Sequence, residues 1–158
     1  MPIYANTDDL NSFFSSANIT DWADKDRDGV LSSTEQEAID KAIEAAEAIV
    51  DSYLKQAGYA APFDSSSFSE LPERLQSLIK QWTIIIAGFH ISAWRGMRDK
   101  VNPFEKVYTQ TISQLKELAS GTMLAGLSAD VKVNFGTGIN QTEPTDQLSH
   151  LQSDAWDW

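Results

Sequence analysis

From Trp82 to Trp94 the chain reads Trp-Thr-Ile-Ile-Ile-Ala-Gly-Phe-His-Ile-Ser-Ala-Trp, apolar on nearly every side of a helix. A bilayer span needs about 20 such residues, and this stretch is shorter and interrupted by Thr83, His90 and Ser92. Protein must therefore cover it on all sides. The same helix begins near Ser69 to Pro72 and carries Leu75, Leu78, Ile79, Trp82, Ile85, Ile86, Phe89 and Ala93, with Trp82, Phe89 and Trp94 expected in the core rather than at a cofactor. A buried helix of this kind implies an all-α bundle with this segment at its centre.

The covering helices announce themselves by caps and stripes. Asn6 offers a cap before Asp8 and Asp9, and Leu10, Phe13, Phe14 and Ala17 follow at helical spacing, predicting one short first helix. Ser32 and Glu35 form a capping-box spacing that opens a long helix with Ile39, Ile43, Ala46, Val50, Tyr53 and Ala57 on one stripe and Gly58 as its stop. Tyr59 to Ser69 reads as a loop pinned by Phe63 and Phe68. Asn102, Pro103 and Glu105 open a last helix with Phe104, Tyr108, Thr111, Leu115 and Leu118 on one face, stopped by Gly121. The expectation is a bundle of about four helices over residues 1–126. Residues 127–158 read as an extended arm, with one short strand from the alternation at Val131, Val133 and Phe135.

At 158 residues, one domain can bury roughly two-thirds of its unfolded surface, and there are no cysteines to staple it or to bind metal as thiolates. Twelve basic residues against twenty-three acidic ones give a net charge of -11, which repels the nucleic-acid backbone and excludes direct gripping of DNA. The N-terminus, Met1 to Ala5, has no basic and apolar leader pattern. The sequons at Asn18 and Asn140 are accordingly read as chance matches. His90 reads as a core histidine, and no phosphate cradle, nucleophile elbow or acid/base pair is evident. The expected protein is not an enzyme.

One segment carries chemistry. Asp24 to Glu35 follows D-x-D-x-D-G-x5-E, the calcium loop of EF-hands. Calcium takes about six to eight oxygens, and this spacing supplies them from Asp24, Asp26, Asp28, the Val30 carbonyl, Ser32 and Glu35, while Gly29 permits the sharp turn. The same residues also make an ordinary capped turn, with Glu35 serving the helix that follows. A second such loop is absent from the sequence, which favours a static structural clamp over a signalling switch.

The order of parts resembles the Mu-like phage head-tail connector family, also called head-completion or adaptor proteins. The resemblance rests on Tyr4-Ala5, the loop at 24–35, the run Ile49-Val50-Asp51-Ser52-Tyr53-Leu54, Leu71-Pro72, and Leu115-Lys116-Glu117-Leu118-Ala119-Ser120-Gly121, over residues 4 to about 124. It implies a structural virion protein at the head-tail interface, made in the host cytoplasm. Copies would form a homo-oligomeric, dodecameric ring under the portal protein and present a face to a tail stopper or terminator protein. DNA would only pass through the channel, whose acidic wall would let it slide, and no membrane would be involved. The arm ends with Trp156 and Trp158 on a polar segment, an arrangement suited to anchoring in the portal or an adjacent subunit. The other reading is an intracellular single-EF-hand calcium-binding interaction module.

Overall fold

The computed structural model describes residues 2–94, 102 and 104–121, and every regular element among them is helical. Six helices follow in order: α1 Thr7–Phe14, α2 Ser16–Ala23, α3 Ser33–Gln56, α4 Ser65–Ser69, α5 Glu73–Trp94 and α6 Glu105–Ala119. The strand expected at 131–135, the arm 127–158, and Trp156 and Trp158 within it lie outside the described residues.

The all-α bundle is as expected, but two segments need correction, the first of the four anticipated helices and the loop at 59–69. That helix is split. Asn6 and Asp9 form a reciprocal capping box that starts α1, and Ser15 then takes a left-handed φ of 70° that helical backbone does not tolerate. The Ser15 side chain turns to the Asn18 N–H and opens α2 instead. As a result Phe13 is half exposed and Ala17 is on the surface, so the stripe drawn through them does not exist. Asp21 lies on α2, and the acidic loop begins directly after that helix at Asp24. The second correction is α4, inside the presumed loop, where the Asp64 carboxylate accepts the Ser67 N–H and caps a single helical turn.

The long helix α3 begins and ends where the spacing places it. Ser32 and Glu35 make a complete capping box. At the other end Gly58 adopts a φ of 90°, its N–H reaches the Lys55 carbonyl and the Tyr59 N–H reaches that of Leu54, the paired bonds of a Schellman stop. The expected cap of the last helix needs correction too: α6 starts from Phe104 with no side-chain cap, and Asn102 instead accepts the Phe104 N–H in a turn ahead of the helix.

Helix α5 occupies the centre, packed by α1, α2, α3, α4 and α6. Trp82 through Gly88 are all buried. Burial of this kind yields about 25 cal/mol per Å² of apolar surface, which makes α5 the principal source of cohesion. Gly88 is required by proximity: a Cβ there would stand 2.2 Å from Cε2 of Phe14. Phe14 is held in turn edge-on by Trp22 and Phe104, at 5.5 and 5.0 Å between ring centroids. Trp94 departs from expectation. At the end of α5 it is 42% exposed, outside the core assigned to it.

Candidate functional site

The loop between α2 and α3 is built from carboxylates that accept backbone N–H groups. Asp24, itself buried, takes the Arg27 N–H on Oδ1 at 2.6 Å and the Gly29 N–H on Oδ2 at 2.8 Å. Asp28 accepts the Val30 N–H two residues on, an Asx turn. Arg27 and Gly29 both sit at positive φ, 65° and 83°, which coils the chain tightly around Asp24. Glu35 reaches back from α3: Oε1 accepts the Lys25 N–H at 2.5 Å, and Oε2 accepts both the N–H and the hydroxyl of Ser32.

These bonds set the electrostatics. The Gly29 N–H, followed by that of Arg27, holds the Asp24 carboxyl below its ordinary range. The Lys25 N–H and the Ser32 groups do the same for Glu35. Asp26 moves the other way, because the Asp24 carboxyl beside it and the charge on Asp28 favour its protonated form. Of the six residues assigned to calcium, the structure converges Asp24, Asp26 and Asp28, with one carboxylate oxygen from each within 4.8 Å of the others. Ser32 and Glu35 are bonded to each other, and the Val30 side chain is exposed. Carboxylate oxygens are hard donors of the kind a divalent cation takes. Asp24, Asp26 and Asp28 are the residues that would hold it.

Two features escaped the sequence reading. Glu47 and Asp51, one turn apart on α3, fasten the N-terminal segment. Glu47 is buried and accepts the N–H groups of Ile3 and Tyr4 at 2.7 and 2.6 Å. The Tyr4 hydroxyl donates to Asp51 at 2.5 Å and accepts the Phe63 N–H at 3.0 Å, tying the segment to α3 and to the turn before α4. Burial raises the pKa of Glu47, Asp51 and Tyr4 alike. The available signal was the position of Glu47, which directly follows Ala46 on the apolar stripe. The second feature is a pair of recesses on either side of Trp94. One, about 660 Å³, lies between α3 and the end of α5; the other, about 300 Å³, is shared with the loop. His90 borders the first, half-buried beside Phe89 and Tyr108, and burial lowers its pKa.

Compared with known proteins, a model of the family described as Bacteriophage Mu, Gp36 matches residues 4–140. The chain belongs to that family. The match takes in all six helices and the acidic loop, and it runs past residue 124, where the resemblance read from sequence ends. No curated protein and no solved structure matches the chain. As a Mu-like phage protein of the Gp36 family, it falls in the structural and morphogenetic class of phage proteins. No helix among the described residues is long and apolar enough to cross a membrane.

Proposed function

We propose that this Gp36-family protein is a head-tail connector of the phage neck. Its copies form a ring under the portal, extend the DNA channel and join the head to the tail through a stopper or terminator protein. The observation that carries the reading is the family match over the whole helical body, on a chain of net charge -11. Exposed acids on several helices, among them Glu37, Glu73 and Glu117, suit a surface past which DNA slides, since like charge prevents the backbone from lodging. The body acts as a building block and not as a catalyst.

In this reading the loop at 24–35 is a clamp that calcium tightens. Asp24, Asp26 and Asp28 supply the converging oxygens, and Glu35 positions the loop by its bonds to Lys25 and Ser32. Bound calcium would relieve the mutual repulsion of the three aspartates and lock the angle between α2 and α3. Calcium should raise the thermal midpoint over that measured with chelator, and Asp26→Asn should abolish the increment. An identical midpoint in calcium and chelator would leave the loop as a capped turn.

The role itself is tested by quantitative mass spectrometry of gradient-purified, DNA-filled particles from the source. Co-sedimentation near one copy per portal subunit is the expected result. Absence from the particles overturns the connector reading.

A further inference from the structure

From the two recesses beside Trp94 we infer that the segment Ser153–Trp158 of this same chain docks there, with its two tryptophans seated on either side of the Trp94 ring. The receiving surface is chemically unusual for so acidic a protein. The larger recess has a floor of small residues, Ala38, Ala42 and Ala45, which leaves depth for a large ring, and Lys41 and His90 stand at its edge. The smaller is walled by Trp22 and Trp94 and rimmed by Lys25 and Arg27, with the Lys25 ammonium 5.7 Å from the centre of the Trp94 ring. Three of the chain's twelve Lys and Arg residues therefore gather around one exposed indole. Among the described residues Asp24 is the one acid lining either recess, and its oxygens accept the Arg27 and Gly29 N–H groups. The Lys41 ammonium stands 4.0 Å from Glu37 on the exposed surface, a contact worth little energetically.

Ser-Asp-Ala-Trp-Asp-Trp has the complementary character: two indoles and two carboxylates, with no basic residue. Alternate side chains of an extended segment point to the same side about 7 Å apart, so Trp156 and Trp158 suit a pair of recesses that share one wall. Asp154 and Asp157 then meet Lys25, Arg27 and Lys41. Burying two tryptophans against aromatic and alanine surfaces is the kind of anchor that dominates a small interface. Reach is ample. The stretch between Gly121 and Ser153 can extend about 100 Å at 3.3 Å per residue, whereas the 22-residue α5 is about 33 Å long. The docked segment can come from the same copy or from a neighbour in an assembly, and the inference stands apart from the connector role.

The chain has no cysteine, so the contact can be tested in the full-length protein with engineered pairs and a short bis-maleimide cross-linker. Ala45→Cys with Ala155→Cys places one thiol in the larger recess and one between the two aspartates, with both tryptophans kept. The control pairs Ala155→Cys with Ser77→Cys, exposed on α5 about 20 Å from the recesses by helical rise. Docking predicts cross-linking about tenfold faster for the first pair through its higher effective concentration. Trp156→Ser with Trp158→Ser should reduce that rate to the control value, and Lys41→Glu should slow it about threefold. Internally linked monomers and linked oligomers both place the tail in the recess. Equal rates for the two pairs, or a rate indifferent to loss of both tryptophans, overturn the inference.

Discussion

Trp82 to Gly88 on α5 and Asp26 to Val30 in the acidic loop are stretches of similar length held in place by opposite means. All seven residues of the first are buried, and all five of the second are exposed. On α5, position is set by volume: Gly88 is small because Phe14 lies against it, and Phe14 is fixed by Trp22 and Phe104. In the loop, position is set by charge. Carboxylates of Asp24, Asp28 and Glu35, the first and last of them buried, hold the backbone N–H groups of an exposed, tight coil. One region should therefore respond to a methyl group and ignore pH, and the other should do the reverse.

The largest effect is expected at Gly88. In Gly88→Ala the new methyl collides with a ring that has little room to yield, and the cost should be about 3 kcal/mol in denaturant unfolding. Phe14→Leu in the same chain should recover part of it, because each change makes space for the other. A Gly88→Ala protein as stable as the parent would break the volume argument for α5.

Glu47→Ala blurs the contrast deliberately, since here a carboxylate serves the buried side of a helix. Removing it strands the N–H groups of Ile3 and Tyr4, at about 2 kcal/mol. The pH dependence has a definite sign. Burial raises the folded pKa of Glu47 above its ordinary 4.5, so its contribution is fullest at low pH and declines as pH rises through the raised value. Glu47→Ala should remove that declining portion from a profile of thermal midpoint against pH.

Glu35→Gln sharpens the contrast from the other side. The folded pKa of Glu35 lies below 4.5, so its stabilisation is complete above that value and is lost as pH falls through the depressed one. The variant should be less stable than the parent at neutral pH and should lose less on acidification. If both proteins lose stability in parallel between about pH 6 and pH 3, the loop is not held by charge. The smallest effect is at Ser15, where glycine accepts the positive φ without strain; Ser15→Gly should stabilise by about 0.5 kcal/mol after loss of its weak cap bond.

Patterns that depend on local neighbours were legible in the sequence. The cap at Asn6, the box at Ser32, the stop at Gly58 and the burial of α5 all follow from residues within a few positions of one another. So does the convergence of Asp24, Asp26 and Asp28. What escaped depends on the third dimension. The break at Ser15 overrides a plausible stripe because the backbone must turn for α2 to reach α5. Glu47 looks solvent-facing until the N-terminal segment folds over it, and Trp94 looks like core although it is 42% exposed at the end of α5.

The position of α5 along the chain also bears on how the protein is made. Its residues emerge from the ribosome well before α6, whose Leu115 and Leu118 complete the core. Until Ala119 has been added and has cleared the exit tunnel, one flank of the most apolar helix stays uncovered, and newly made chains are most prone to aggregate in that interval. Folding is thus delayed until late in synthesis, and a chain terminated before Thr111 would be degraded or aggregate rather than persist as a smaller folded unit.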